Sequence, residues 1–315
     1  MENTNSAIVD DLVSGNINSG HLLKFLKKAY RKKHIGIFIY LGMLLYICIW
    51  MMDFFSGTFS NNNSLKKGIL LFLLSLVLST LFLNGFGQAL LRIIIGAKKI
   101  ERSDFIETYK LPVDKVIAEA RQKGLTLPDQ IQVYLLESDK PIAYAFGMNS
   151  IAVTKALLDL PEDLFKAKVS SELYRIHEMD PDYLLFMIGS NLLSVILALF
   201  VMGLGASNME YGDSRHGWLT GSERESGAML FALFLVMLVL WIGICYLLIR
   251  GIIRKNQFDA DLYAADCGYG EAMCMYLDKC STDKVNQGLK ILELGHPSSD
   301  QRISALQGAG VSYSA

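Results

Sequence analysis

The chain has 315 residues, of which 52% are hydrophobic and only 19% are charged, and its formal net charge is -1 at pH 7. A chain without an excess of Lys and Arg has little to neutralise phosphates, so we expect no nucleic-acid partner. The apolar residues are concentrated in a few long runs, which is typical of a protein embedded in a lipid bilayer rather than of a soluble one.

Four of these runs are long enough to cross a bilayer, since a membrane-spanning helix needs about 20 apolar residues. None of them contains Asp, Glu, Lys or Arg, and they cover residues 35–52, 68–91, 184–206 and 227–249. They divide the chain into an N-terminal tail (1–33), the first two spans (34–97), a soluble-type segment (98–182), the last two spans (183–250) and a C-terminal segment (251–315).

The orientation follows from the basic residues that flank these runs, because Lys and Arg accumulate on the cytosolic side. Basic residues precede the first run and follow the second and fourth runs, at positions 24, 27, 28, 31–33, 92, 98, 99, 102, 250, 254 and 255. The two outer loops hold only Lys66, Lys67, Arg215 and Arg224. This pattern predicts that both termini and the 98–182 segment are cytosolic, which in a bacterium places the protein in the inner membrane.

The 98–182 segment has the pattern of a small domain with strands and helices. A helix over 113–123 is followed by extended stretches at 131–135, 142–146 and 150–154. Pro161 then begins a helix whose apolar stripe is Phe165, Val169, Leu173 and Ile176, and we expect Pro181 to end it. After the fourth span, helical patterns cover 256–265, 271–278 and 300–306, with a break at Gly268-Tyr269. The predicted fold class is therefore α+β.

This order of elements resembles the HtpX-like membrane zinc metallopeptidases, which are related to the CAAX prenyl endopeptidases. The resemblance covers about residues 68–306 and rests on motifs placed around two pairs of spans. These motifs are a strand pair (141–147 and 151–154), an HExxH-like helix (168–180), an ExxAD-like segment (257–261), and His296-Pro297 followed by Arg302. It implies a four-span helical membrane unit with a cytosolic, zincin-like metallopeptidase domain.

In such enzymes two histidines of HExxH and the first glutamate of ExxAD bind zinc, and the glutamate of HExxH is the general base. The matching ligand positions here hold Ser171, Arg175 and Gln257, while Glu172 keeps the position of the base and His296 that of the late histidine. The family cofactor is zinc, but the resemblance places no ligand for it in this chain. We therefore expect a degenerate, inactive site without a metal.

Arg175 would put a fixed positive charge where the family holds its metal ion. It follows Glu172 by three residues, so the two side chains can pair on one helix face. We predict that Arg175 replaces the metal in a salt bridge with Glu172 and with Asp261, the last residue of the ExxAD-like segment.

The resulting functional prediction is a pseudoprotease that binds a membrane-protein or peptide client as a regulator or assembly subunit. Active relatives hold their substrate along an edge strand, which the resemblance matches to Ala143, Tyr144, Ala145 and Phe146. Two alternatives stay open. One is an active membrane metalloendopeptidase with an atypical metal site. The other is a structural subunit of a larger membrane-protein complex that does not use the cleft.

Overall fold

The computed structural model describes residues 19–31, 35–56, 62–101, 103–210, 221–280 and 296–314. Most of the predicted N-terminal tail, and the basic residues at 32, 33, 102 and 215, lie outside these ranges. The longer helices of the described part are α1 (Ser19–Arg31), α2 (Ile35–Ser56), α3 (Asn62–Leu83), α4 (Gly85–Ile95), α5 (Leu111–Gln122), α6 (Glu162–His177), α7 (Asp180–Glu210), α8 (Gly221–Ala264), α9 (Gly270–Lys279) and α10 (Ser299–Gly308).

The chain forms two compact units. The first, here called the sheet unit, comprises Met1–His34, Thr80–Phe186 and Arg250–Ala315. The second, the apolar unit, comprises Ile35–Ser79 and Met187–Ile249.

A four-stranded sheet lies in the sheet unit, formed by β1 (Lys98–Lys99), β2 (Gln132–Leu136), β3 (Ala143–Phe146) and β4 (Ser150–Thr154). The strand order is β1-β2-β4-β3, so β3 is an edge strand. β4 pairs in parallel with β2, Val133 opposite Ile151, and antiparallel with β3, Ala145 opposite Ile151. All five residues of β4 are buried, as its central position and its apolar, β-branched sequence require.

Helix α6 packs against the sheet, and the four residues of its predicted apolar stripe are buried in a core that also contains residues of the sheet. The helix begins after Pro161, with Glu162 and Asp163 in its first turn, as predicted. Its end differs from the prediction. It stops at His177, Met179 adopts a left-handed conformation (φ 58°), and Pro181 lies in the first turn of α7, where its missing N–H is tolerated.

Two helices of the described residues are long and apolar enough to cross a membrane, over Ile35–Met52 in α2 and Leu65–Leu83 in α3. The third and fourth predicted spans lie within α7 and α8. That α7 and α8 cross a membrane, and that both termini and the 98–182 segment face the cytosol, stay predictions.

The second predicted span, 68–91, is not one continuous helix. Asn84 leaves the helical conformation (φ −90°, ψ −167°) between α3 and α4. The break is possible because a Cβ at position 87 would lie 2.0 Å from the carbonyl oxygen of Phe82, so only glycine fits there. Helix α4 then belongs to the sheet unit, where the Gln88 amide donates a hydrogen bond to the Ser150 hydroxyl.

The apolar unit contains a cluster of neutral polar side chains. The amide of Asn191 donates to the Tyr40 hydroxyl (2.7 Å) and accepts from the Trp241 indole N–H (2.8 Å). Ser190 lies 2.5 Å from the same hydroxyl. These contacts link α2, α7 and α8, so we call Tyr40, Ser190, Asn191 and Trp241 the neutral cluster.

Candidate functional site

Helix α6 presents four polar side chains on the face that carries the predicted site. Lys168, Ser171, Glu172 and Arg175 are spaced by three and four residues, which places them together on one side of a helix. All four are buried, although Lys and Arg are rarely buried unless they are paired. The buried charged side chains of α6 therefore need buried partners, and other parts of the fold provide these partners.

Glu172 is the centre of the first group of contacts, the Glu172 cluster. Its Oε1 lies 2.5 Å from Lys168 Nζ, and its Oε2 lies 3.0 Å from a terminal nitrogen of Arg175. The backbone N–H of Ala145 in β3 also donates to Oε2, at 2.9 Å. Both carboxylate oxygens are thus occupied by donors of the protein itself.

Arg175 makes its second ion pair with Asp180 in the first turn of α7. Two guanidinium nitrogens lie 2.7 and 2.8 Å from Asp180 Oδ2, and Asn256 donates to the other oxygen of that carboxylate at 3.0 Å. The prediction that Asp261 is the second partner of Arg175 was wrong. The left-handed residue Met179 separates α6 from α7, and Asp180 at the beginning of α7 lies beside the guanidinium. Asp261 pairs with another cation instead.

That cation is Arg302 of α10, and its contacts with Asp261 form the Asp261 cluster. Two guanidinium nitrogens each lie 2.6 Å from an Asp261 oxygen, the bidentate geometry that makes Arg–carboxylate pairs strong. Ser171 and Gln257 also donate to Asp261 Oδ1, at 3.1 and 3.2 Å. Two of the residues at the matched zinc-ligand positions therefore donate hydrogen bonds to a carboxylate.

The Glu172 cluster, the pair of Arg175 with Asp180 and the Asp261 cluster are together called the ion network, which balances three cations against three carboxylates. The cations are Lys168, Arg175 and Arg302, the carboxylates are Glu172, Asp180 and Asp261, and every one of the six side chains is buried. Buried charges are tolerated only when they are paired and hydrogen-bonded, and here each one is.

The pKa values of the network follow from this pairing. Burial alone raises the pKa of Glu172, but the adjacent Lys168 and Arg175 outweigh it and hold that pKa below its ordinary value of 4.5. Burial opposes the charge of Arg175, yet Glu172 and Asp180 raise its pKa further above the normal range. Both groups are therefore ionised at neutral pH.

His296, the late histidine of the resemblance, lies close enough to this network for its cations to change the pKa of the imidazole. Burial, and then the positive charges of Arg175, Arg302 and Lys168, lower its pKa well below 6.5, so its imidazole is neutral at pH 7. Its Nε2 is buried without a hydrogen-bond partner among the described residues, as is the side-chain oxygen of Gln257.

The zinc that the resemblance implies does not fit these residues. A guanidinium has no lone pair to offer a metal, and Arg175 instead adds a fixed positive charge. Ser171 donates its hydroxyl hydrogen to Asp261, and the Gln257 side-chain oxygen and His296 Nε2 are buried atoms without a hydrogen-bond partner among the described residues. Within the described residues, no group of three or more His, Cys, Asp or Glu is arranged to hold a metal ion.

The predicted client strand, Ala143–Phe146, is the edge strand β3. Its four side chains are buried, and the Lys168 ammonium lies over the Tyr144 ring, 5.7 Å from its centre. The backbone N–H of Ala145 donates a hydrogen bond to Glu172. A strand added at this edge would have to displace that bond.

The sequence prediction missed two members of the network. Lys168 precedes Glu172 by one helical turn, so its spacing was a usable signal. Asp180 carried no such signal, because its contact with Arg175 depends on a left-handed turn that periodicity does not reveal. Arg302 was noted only as part of a motif, without its partner Asp261.

Comparison with known proteins adds independent information. Residues 112–309 match the model of peptidase family M48. The chain is 26% identical over 286 residues to the protease HtpX of Thioalkalivibrio sulfidiphilus, covering 80% of this chain and 88% of that protein. It is 25% identical over 264 residues to the protease HtpX of Xanthomonas campestris pv. campestris (strain B100), covering 74% and 85%. The crystal structure of S. mikatae Ste24p matches with 17% identity and a TM-score of 0.39, covering 92% of this chain and 66% of that one.

Proposed function

This chain belongs to peptidase family M48 and is a membrane metallopeptidase-like protein, and we propose that it is a catalytically inactive member of that family. The observation that carries the proposal is the ion network, which fills the position matched to the metal with paired charges of the chain itself. In this proposal the protein binds no zinc at that position and hydrolyses no peptide there.

The state of Glu172 supports the proposed inactivity. A general base works best with a pKa near the operating pH, and enzymes raise the pKa of a catalytic glutamate to reach it. Here the pKa of Glu172 is held below 4.5, the opposite direction. Both of its oxygens also accept hydrogen bonds or ion pairs from groups of the protein itself.

We also propose that the protein uses its cleft to bind a membrane-protein or extended-peptide client as a regulator or assembly subunit. The edge position of β3 supports this, since a peptide can add to a sheet edge by main-chain hydrogen bonds. Strand addition would release Ala145 N–H from Glu172. The four-span topology, with both termini and the sheet unit in the cytosol of a bacterial cell, completes the proposal and is supported by the distribution of Lys and Arg.

Elemental analysis of the detergent-purified chain tests the metal part of the proposal. We expect far less than one zinc per chain. Stoichiometric zinc that disappears in Glu172→Gln or His296→Ala would contradict it and favour an active enzyme with an atypical site.

A set of variants that restores the zinc-ligand residue types makes the test of zinc binding more specific. Ser171→His, Arg175→His and Gln257→Glu together return the three ligand types, but Lys168 still lies 2.5 Å from Glu172. We therefore expect weak zinc binding in the triple variant and tighter binding when Lys168→Met is added. The same four substitutions with Glu172→Gln are the matched control, which should bind zinc without cleaving peptides.

Client binding is tested by a photo-crosslinking amino acid at Asp139, an exposed residue in the loop that leads into β3. The matched control carries the crosslinker at Lys115, an exposed residue of α5. Crosslinks specific to position 139 that are lost in Ala145→Pro support strand addition. Crosslinks of equal strength at both positions would favour a structural subunit that does not use the cleft.

A further inference from the structure

Helix α1 lies outside the region matched by the family model and is held in place by one face. Phe25 and Ala29 on that face are buried. The Phe25 ring lies 4.9 Å from Tyr183 and 5.2 Å from Phe186, at the beginning of α7. Lys28 adds polar contacts to the carbonyl of His177 and, at 3.7 Å, to Glu178. The position of α1 within the sheet unit is therefore fixed.

The opposite face of α1 combines exposed cations with exposed apolar side chains. Lys24, Lys27 and Arg31 are exposed, and α1 contains no acidic residue. Leu23 and Tyr30 are 70% and 73% exposed. At 3.6 residues per turn, these two lie about 20° apart around the helix, so they form one apolar edge beside the basic face. Large apolar side chains next to a Lys- and Arg-rich face are typical of helices that lie in a membrane interface.

Two independent features place α1 at the level where a bilayer begins. Three residues separate Arg31 from Ile35, the first residue of an apolar helix long enough to cross a membrane, so covalent geometry keeps the two Cα atoms within about 15 Å. On its packed face, Phe25 contacts Phe186, which is the third residue of the predicted third span. A helix at this level lies within reach of lipid headgroups.

We propose that α1 is an interfacial helix that binds the headgroups of anionic lipids through Lys24, Lys27 and Arg31 and inserts Leu23 and Tyr30 into the bilayer surface. The partner is negatively charged because the exposed face carries three cations and no carboxylate. It is a lipid surface because the cations are flanked by an apolar edge that a soluble anion would leave exposed to water. Each basic residue contributes about a fivefold preference for an anionic surface, so the three together contribute on the order of a hundredfold.

The full chain, reconstituted in lipid nanodiscs, tests the proposal. An environment-sensitive fluorophore is attached to Leu23→Cys after the half-buried Cys267 and Cys280 are replaced by Ser. In nanodiscs that contain phosphatidylglycerol, we expect a blue-shifted emission that is quenched by spin-labelled lipids. In nanodiscs of phosphatidylcholine alone, the emission should be that of a water-exposed probe. High salt should reduce the shift, because about 1 M salt shortens the Debye length to about 3 Å.

Charge removal provides the matched comparison. Lys24→Gln, Lys27→Gln and Arg31→Gln together should abolish the shift, whereas Lys115→Gln, Lys155→Gln and Lys279→Gln, which remove three exposed cations elsewhere in the sheet unit, should leave it intact. Lys28 is left unchanged because it anchors α1 to the end of α6. A water-like emission in both lipids, an equal shift in both, or a shift that survives the first triple variant would overturn the proposal.

Discussion

The neutral cluster of the apolar unit and the ion network of the sheet unit bury polar side chains in opposite ways. The neutral cluster of the apolar unit consists of hydroxyl, amide and indole groups that donate to one another and carry no charge. The ion network of the sheet unit consists of six ionised groups, each paired with an opposite charge at 2.5–3.0 Å. The side chains of the neutral cluster find buried partners without any charge, whereas those of the ion network find them by charge balance.

This difference predicts how much stability each cluster loses when one of its side chains is removed. Removing one member of a neutral cluster leaves a dipole without a partner, which costs little when other groups can rearrange. Removing one member of a balanced ion network leaves a net buried charge, which is far more costly. Substitutions of similar size should therefore have unequal effects on stability in the two units.

The largest effect is expected from Arg175→Ala. This substitution removes the shared cation of Glu172 and Asp180, and breaking a buried pair on one side costs about 3–5 kcal/mol. Thermal unfolding in detergent measures it, and Arg175→Ala with Asp180→Asn should recover part of the loss.

The control for this substitution is Lys98→Ala, which breaks the exposed pair with Glu137 and should cost about 0–1 kcal/mol. If Arg175→Ala unfolds like Lys98→Ala, the network contributes nothing to stability and Arg175 does not replace the metal structurally.

The second-largest effect is expected from acidification, which should weaken the ion network. The pKa of Glu172 is lower in the folded chain than its ordinary value of 4.5, so its pairing stabilises the fold fully above about pH 4.5. That stability is lost as the pH falls through the depressed folded-state pKa. Chemical unfolding between pH 6 and pH 3 should therefore show a steeper loss of stability in the parent than in Glu172→Gln. Parallel curves for the two proteins would mean that Glu172 is not stabilised in its ionised form.

Much of this fold could be predicted from the sequence, because its helices and strands carry regular hydrophobic patterns. The buried stripe of α6 and the three long strands of the sheet follow from those patterns. The break at Asn84 could not be predicted, because an apolar run gives no periodicity that would reveal an interruption. It depends on the close approach of the Phe82 carbonyl to Gly87, which is a property of the folded chain.

The candidate site could also be predicted in part, namely where it depends on spacing within one helix. The positions of Ser171, Glu172 and Arg175 on one helix face follow from their spacing, and so does the contact between Arg175 and Glu172. The spacing does not predict that the second partner of Arg175 is Asp180 rather than Asp261. Local spacing determines which side chains share an element, whereas the pairing across elements depends on turns and crossings that only the structure provides.

Lys168→Met should have a smaller effect than Arg175→Ala. Burial lowers the pKa of Lys168, which means that its charged form is the least well accommodated of the three cations. After the substitution Glu172 keeps Arg175 and the Ala145 N–H, while the methionine side chain fills most of the vacated volume. We expect a loss of about 1.5–3 kcal/mol, the range for hydrogen bonds to charged groups, from urea unfolding in detergent. A loss as large as that of Arg175→Ala would show that the two cations of Glu172 are equivalent.

The smallest effect is expected in the neutral cluster, from Asn191→Leu. The substitution removes the hydrogen bonds to Tyr40 and from Trp241, both near 2.8 Å, but it leaves no charge behind. Hydrogen bonds between membrane helices contribute about 0.6 kcal/mol on average and rarely more than about 1.7 kcal/mol. Tyr40 also retains Ser190 as a partner. Unfolding in detergent should therefore place Asn191→Leu below both Lys168→Met and Arg175→Ala. A loss above about 3 kcal/mol would contradict the contrast between the two units, since a neutral contact would then be as costly to break as a buried ion pair.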